Sequence, residues 1–460
     1  MQIKLIFGPP GTGKTTKLLE ILSNNLNIYH PEEIAYVSFT KEGSNQGKKR
    51  AINELNIQEK RMTYFRTLHS IAFRTLELKR SQIISKKDYK VFSEKMGMNF
   101  TGYYTEELRH NDDRYLFFNI LHRNNHKTAK NYLYGLDTQI LQHVNSNYKA
   151  FKEYMGIYDF TDIIERFNKL NKSLPVKIAI IDEAQDLSTL QWKMIWIAFR
   201  NCDTVYIAGD DDQAIYEWSG ADVNYFLDIN GEIEILKHSY RLPNDILDFS
   251  KSITKLITKR VDKQYSGLNT MGSVHYIESI KEVEFNKNET YMILSRNRYF
   301  LRNMELYLRS KGLLYIKYKE KSIKNEDIKI IKLYEKVRKT MCMNQIEENT
   351  LKKHLIQEYD LRNPWYDNFN WDVDIIDYYR DIIANKTDLS VFNIKIETIH
   401  SVKGDEADNV IVLTDITKQV YSNLQNNPDS EHRVFYVACT RAKKNLYILY
   451  GDSKYQYIFY

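Results

Sequence analysis

Lys14 and Thr15 close a run of small residues, Gly8-Pro9-Pro10-Gly11-Thr12-Gly13-Lys14-Thr15. The glycines of such a run let backbone N–H groups turn inward and cradle phosphate oxygens, helped by the N-terminal end of the following helix. In that setting Lys14 reaches the β- and γ-phosphates of a nucleotide, and the Thr15 hydroxyl holds Mg2+. Gly8, Gly11, Thr12, Gly13, Lys14, Thr15 and Thr16 are therefore the expected nucleotide-binding residues. A second constellation, Asp182-Glu183-Ala184-Gln185-Asp186, follows four apolar residues. Asp182 there can face the metal, and Glu183 can act as general base on the attacking water. Gln213, in Gly209-Asp210-Asp211-Asp212-Gln213, is placed to orient that water and sense the γ-phosphate. Two arginines complete the set, Arg241 in Ser239-Tyr240-Arg241 and Arg441 in Thr440-Arg441-Ala442. An arginine taken alone is usually a solvated surface residue. As arginine fingers these two would each contribute about 10³-fold or more in rate.

The elements that must position these groups are legible as apolar runs of strand length. Ile3 to Phe7, Ile34 to Phe39, Val176 to Ile181 and Thr204 to Ala208 each end in a motif. A helix beginning near Gly13 carries Leu18, Leu19 and Leu22 on its inner face. Strands alternating with helices, with chemistry at the strand C-termini, describe a parallel α/β sheet. Between His69 and Asp159 the pattern is helical and polar, which predicts an insertion. A second strand series is expected from about Ile233, with Tyr291 to Leu294, Lys395 to Ile399, Val410 to Leu413 and Leu446 to Tyr450. A helical stretch from Lys324 to Leu389 interrupts it, and Asn423 to Ser430 reads as an exposed loop. The expected domains are 1–70 with 159–232, a helical insertion 71–158, a second sheet domain 233–323 with 390–460, and a short helical insertion 324–389. Arg241 and Arg441 then both fall in the second sheet domain and reach across to the phosphate.

Composition narrows the class. The chain has 460 residues, 43% of them hydrophobic, enough for about three ordinary domains. No apolar run approaches the length of a membrane span, and the phosphate loop begins too early for a signal peptide, so a cytoplasmic protein without a membrane partner is expected. Cys202, Cys342 and Cys439 are far apart and lack metal-ligand spacing, which argues against a disulfide framework or a zinc site. The net charge of +6 permits an anionic partner without demanding one.

Taken in order, these motifs resemble the UvrD/Rep-like branch of superfamily 1 DNA helicases. The resemblance covers nearly the whole chain. It includes Ser38-Phe39-Thr40, Thr67-Leu68-His69-Ser70, Asp159-Phe160-Thr161-Asp162, the tract Gln213 to Ala221 around Trp218, Thr398-Ile399-His400-Ser401-Val402-Lys403-Gly404 and Glu431 to Ala442. It implies two RecA-like domains, each with a helical insertion, and 3′ to 5′ movement on single-stranded DNA. It further implies that Tyr240 stacks on adenine, that Arg241 and Arg441 contact the γ-phosphate, and that Glu406 lies near the ribose. Phe39, Tyr216 and Trp218 become surfaces for unstacked bases, with Thr40, Thr67, His69, Thr398 and His400 along the phosphate track. A flat aromatic face binds any base and contributes about 1–3 kcal/mol per stacked base. Trp218, beside Gly220 in a polar tract, is the strongest stacking candidate from sequence.

Four departures from the family pattern modify the expectation. The family's glutamine-bearing segment is not seen before the first strand, so Tyr240 is expected to do most of the holding of the base. Ser219 stands where arginine is usual. The second insertion is short, and the sequence ends soon after Tyr450, so the family's strand-separating hairpin is expected to be missing or replaced by Lys454 to Tyr460. The basic cluster His122, Arg123, His126, Lys127 and Lys130 reads more as a solvated helix face than as a duplex contact. The leading expectation is an ATP- and Mg2+-dependent 3′ to 5′ DNA helicase and translocase, closing its interdomain cleft on ATP. It would act as a monomer on single strands and single-strand/double-strand junctions, alongside replication or repair proteins. The alternative is an ATP-gated single-strand nucleic-acid-binding protein or translocase without robust unwinding. A small-molecule phosphotransferase would leave the Trp218 tract unexplained.

Overall fold

Alternating side chains of the first four apolar runs divide between two separate cores, as a sheet buried on both faces requires. Leu5, Phe7, Ala35, Val37, Ala179, Ile181, Val205 and Ile207 lie in one core. Ile6, Ile34, Tyr36, Ile178, Ile180 and Ala208 lie in the other, with Leu18, Leu19 and Leu22 of the helix Lys14–Leu26 packed against them. The computed structural model describes residues 1–39, 41–104, 112–129 and 135–459, apart from the side chains at 41, 42, 44, 46 and 128. Thr40 and Lys130 fall outside the described residues.

The chain forms two compact units, Met1–Arg241 with Thr254–Leu268, and Leu242–Ile253 with Asn269–Tyr460. The first contains β1 (Gln2–Phe7), β2 (Ile34–Ser38), β3 (Tyr64–Arg66), β4 (Ile178–Asp182), β5 (Thr204–Gly209) and β6 (Glu232–Ile235). These form one sheet in the order β3-β2-β4-β5-β1-β6, parallel throughout. Its register pairs Phe7 with Gly209 and Ser38 with Asp182, so the motif-bearing strand ends line one edge. Ligands of open α/β sheets bind outside that edge. In the segment between β3 and β4, helices Lys86–Met96, Asp113–Asn124 and Thr138–Met155 share a core that includes Phe92, Leu116 and Tyr148.

Two sequence expectations need correction. The second strand series does not begin at Ile233: Glu232–Ile235 is β6 and pairs with β1. Its pattern misled because Ile233 itself is exposed on an edge strand. The Asn423 to Ser430 stretch is not a loop but the end of the helix Lys418–Asn426 and the start of Pro428–Cys439. Pro428 at the first helical position suits a helix start, because its missing N–H would have no partner there.

After β7 (His238–Pro243) and β8 (Ser266–Leu268), which form a two-stranded sheet, the second unit builds its own. Its strands are β9 (Ser273–Ile277), β10 (Tyr291–Ser295), β11 (Tyr315–Lys317), β12 (Glu320–Lys321), β13 (Ile394–Thr398), β14 (Ala407–Leu413) and β15 (Ala442–Leu449). The order is β12-β11-β13-β10-β14-β15-β9, with β11–β12 the antiparallel pair. Helices Asn325–Thr340, Gln345–Leu351, Trp365–Asn368 and Val373–Ala384 occupy the stretch between β12 and β13 and share the core around Tyr334, Trp365 and Tyr378. None of the helices is long and apolar enough to cross a membrane among the described residues.

Candidate active site

The phosphate loop is held by its own backbone. Gly8 N–H donates to Gly209 O (3.0 Å), tying the loop to the end of β5. Thr12 donates to Pro9 O through both its N–H (3.2 Å) and its hydroxyl (2.8 Å), so this buried side chain shapes the loop. Lys14 folds back over the loop with Nζ 3.1 Å from Gly8 O. A Cβ at Gly8 would sit 2.0 Å from Lys14 Cγ, so only glycine leaves the lysine this path. Gly11 has φ +73°, and a Cβ there would lie 2.4 Å from Arg241 Cβ. Gly13 precedes the helix Lys14–Leu26, whose first turn carries no acid. Its unpaired N–H groups therefore leave positive potential beside Lys14, with Thr15 half-buried and Thr16 exposed just beyond.

Arg241 corrects the sequence expectation. It belongs to the first unit rather than reaching over from a second. The reason is backbone: Ser239 Oγ donates to Pro10 O (2.7 Å) and Tyr240 N–H donates to Gly11 O (2.9 Å), which lays this segment on the loop. The Tyr240 ring is 70% exposed and stands edge-on to His238. An open aromatic face beside the start of the helix suits a nucleobase.

Asp182 closes β4 and is buried. Tyr36 Oη donates to its Oδ2 (3.0 Å), and Glu183 N–H donates to its Oδ1 (2.9 Å). Burial, and then the charge of Glu183, push its carboxyl up to about 6. Glu183 adopts the left-handed conformation at φ +55°, uncommon outside glycine and found where structure over-determines it. Its carboxylate lies 3.8 Å from Lys14 Nζ and accepts from Gln185 Nε2. The other end of Gln185 accepts from Asp210 N–H (3.0 Å), and Gln213 Nε2 donates to Asp210 Oδ2 (2.6 Å). One chain of hydrogen bonds thus links the general-base candidate to Gln213. The donor set fits a nucleoside triphosphate with a divalent cation. It offers a cationic glycine cradle, the Thr15 hydroxyl and one buried carboxylate. Ser38 stands in register with Asp182 on the neighbouring strand, and its buried Oγ, which has no hydrogen-bond partner among the described residues, could take a water of the metal.

The aspartates of the Gly209–Gln213 motif also hold a buried charge cluster whose cations gave no sign in the sequence. Lys263, fully buried, contacts Asp210 (3.3 Å), Asp211 and Asp212 (2.9 Å). Arg260 adds a bidentate pair to Asp212 (2.8 and 2.7 Å). The ammonium is held strongly protonated by these aspartates against the pull of desolvation. Neither Lys263 nor Arg260 sits in a recognisable motif, so nothing in the local pattern could have found them. Gln185, Asp210 and Tyr36 lie inside or beside the motif runs, but the bonds of Tyr36 to Asp182 and of Asp210 to Gln185 join one run to another.

The proposed DNA contacts fare unevenly. Phe39 and Tyr216 stack on each other at 5.9 Å and 29°. Trp218 is half-buried with its ring 6.4 Å from Phe117, packed against the helical-insertion core, and its buried Nε1 has no hydrogen-bond partner among the described residues. It is therefore less open than its polar tract suggested, because the insertion packs against it. Thr67 caps the helix Leu68–Thr75 by accepting from Ser70 N–H (3.3 Å). His69 meets Phe160 edge-on, and desolvation brings its imidazole down to about 4. Arg123 of the basic cluster is not a solvated face residue. It is bound to Asp159 (3.0 Å), Asp162 and Glu165 (2.8 Å), while His122 and His126 face each other at 2.5 Å.

In the second unit Thr398 Oγ1 donates to Ser401 Oγ (3.2 Å), and His400 follows in the same turn. Glu406 pairs with Lys443 at 3.6 Å on the surface. Arg441 is 1% exposed; its guanidinium donates to Val437 O (2.9 Å), Asp405 O (3.3 Å) and Thr440 Oγ1 (3.0 Å). Within its unit it closes the end of the helix Pro428–Cys439.

The family model for the UvrD/REP helicase N-terminal domain matches residues 2–234, and that for the UvrD-like helicase C-terminal domain matches 393–449. An ATP-dependent DNA helicase Rep of Buchnera aphidicola is 24% identical over 338 residues, covering 68% of this chain and 49% of that protein. The Rep helicase of Escherichia coli is 25% identical over 47% of this chain and 35% of its own length. A probable DNA helicase of Mycoplasma pneumoniae is 22% identical over 97% of this chain and 80% of its own. The chain thus spans half or less of the Rep proteins it matches.

Proposed function

Because the chain belongs to the UvrD/REP helicase family, with an α/β fold of two RecA-like parallel-sheet domains, we propose that it is an ATP-dependent DNA helicase. In this reading it hydrolyses ATP and moves 3′ to 5′ along single-stranded DNA. The observation that carries it is the convergence of Lys14, Glu183 and Arg241 on one glycine cradle, with the Asp210–Gln213 network behind it. Lys14 and the loop N–H groups bind the phosphates, and Tyr240 takes the base. Arg241, beside the loop, neutralises charge on the transferring phosphate. Glu183 accepts the proton of a water that Gln213 helps to orient. Thr15 and Asp182 would hold Mg2+, which neutralises phosphate charge when bound. Glu406 and Arg441 are proposed to serve nucleotide binding and turnover. Phe39, Tyr216 and Trp218 would meet bases, and Thr67, His69, Thr398 and His400 the DNA phosphates. We place the protein in the cytoplasm as a monomer working at single-strand/double-strand junctions.

The test is ATP turnover without nucleic acid, with single-stranded DNA and with single-stranded RNA, followed by unwinding of duplexes tailed on the 3′ or the 5′ side. Stimulation by DNA with a 3′-tail preference is the expected result. Stimulation without unwinding would move the protein to a translocase, and turnover indifferent to both polymers would overturn the motor.

A further inference from the structure

Tyr36 occupies the middle of β2, one of the largest wholly buried side chains in the protein. A buried phenol generally finds some acceptor, so its bond to Asp182 Oδ2 at 3.0 Å would by itself mean little. The surroundings say more. The helix Lys41–Leu55 carries Gly47 in its interior, where glycine is less favourable than alanine. A Cβ at Gly47 would lie 2.6 Å from Tyr36 Cε1 and 2.8 Å from Cζ. On another side the ring stacks on Phe65 at 6.0 Å and 16°. The chain therefore gives up helix propensity and closes two walls around this ring, which holds its hydroxyl against one oxygen of one carboxylate.

That carboxylate is the proposed metal ligand. Its two oxygens each take one donor, Tyr36 Oη on Oδ2 and Glu183 N–H on Oδ1, which fixes the carboxylate plane. An ionised carboxylate accepts about four hydrogen bonds, so lone pairs remain for a cation or its waters. Ser38, two residues along β2 and therefore on the same face as Tyr36, stands in register with Asp182, and its buried hydroxyl has no hydrogen-bond partner among the described residues. We infer that Tyr36 is a positioning residue for the metal-binding carboxylate of Asp182, and that Gly47 is glycine to make room for it. This rests on the reading of the site as an ATP site.

The test uses Tyr36→Phe, which keeps the ring and removes the hydroxyl. Binding of Mn2+ to the protein–ADP complex, followed by electron paramagnetic resonance, should weaken by about 3–10-fold, the scale of one lost hydrogen bond. The Mg2+ concentration for half-maximal ATP turnover should rise by the same factor. Affinity for a fluorescent ADP in chelator should move much less. Gly47→Ala should reproduce the metal effect by displacing the ring. Adding it to Tyr36→Phe should lower Tm further without weakening metal binding further, since the hydroxyl is already gone. Metal midpoints equal to the parent's, with only Tm lowered, would make Tyr36 a packing residue and overturn the inference. A parent that neither hydrolyses ATP nor binds Mn2+ with ADP would overturn the proposed function, and the inference with it. A parent that does both while Tyr36→Phe matches it overturns the inference alone.

Discussion

The two sheets share a parallel architecture, yet their strand ends carry opposite kinds of chemistry. In the first unit the edge formed by Phe7, Ser38, Asp182 and Gly209 opens onto a glycine loop and an exposed tyrosine. Its buried charges, Asp210 to Asp212 with Lys263 and Arg260, sit behind that edge as support. In the second unit the corresponding charges face inward onto one another. Arg296 pairs with Glu431 in a buried bidentate bridge (2.7 and 2.9 Å), and the buried Arg441 donates to Val437 O and Asp405 O of its own unit. The fold supplies a row of strand ends; the residues just beyond each strand decide whether it is a site.

The sharpest way to break this contrast is Lys14→Ala. Turnover should fall by about 10³-fold or more, with single-strand binding retained in part. Equal turnover in an ATPase assay would remove the phosphate loop from the chemistry.

Replacing the supporting charges tests whether both units depend on them for stability alone. Lys263→Met leaves three aspartates around an apolar group and should cost about 3–5 kcal/mol in urea unfolding. Arg296→Met should destabilise by a similar amount while leaving nucleotide affinity at the parent value, whereas Lys263→Met should weaken it through Asp210 and Gln213. Equal nucleotide affinity in both would erase the distinction.

Among the aromatics, Phe39→Ala should lower single-stranded DNA affinity by about 1–3 kcal/mol, read by fluorescence anisotropy. Trp218→Ala should also lower Tm, because its ring packs against Phe117 and the insertion core. An unchanged Tm with lost affinity would restore Trp218 to an open stacking role.

A further effect concerns pH. His69 is held neutral in the fold, down to about 4, while the unfolded side chain takes its proton near 6.5. The unfolded state therefore binds more protons between those values, and stability falls as pH drops through that window. His69→Gln should flatten this part of the acid slope in denaturant titrations at pH 7, 6, 5 and 4. An identical slope would place the loss elsewhere.

What the sequence determined by itself was whatever depends on neighbours in the chain. The strands ending in motifs, the helix with Leu18, Leu19 and Leu22 inside, and the glycine loop all follow from local pattern, and the structure has them within a residue or two. Short or edge strands such as Tyr64–Arg66 and Ser273–Ile277 left no signal, since three residues or a half-exposed alternation do not stand out from loop. Tertiary structure alone decided which unit holds Arg241, what covers Trp218, and that Lys263 neutralises an aspartate 52 residues away. It alone brought Tyr36 to Asp182 across 146 positions. Hydrogen bonds and buried charges choose partners by distance in space, and residue spacing along the chain carries no record of that distance.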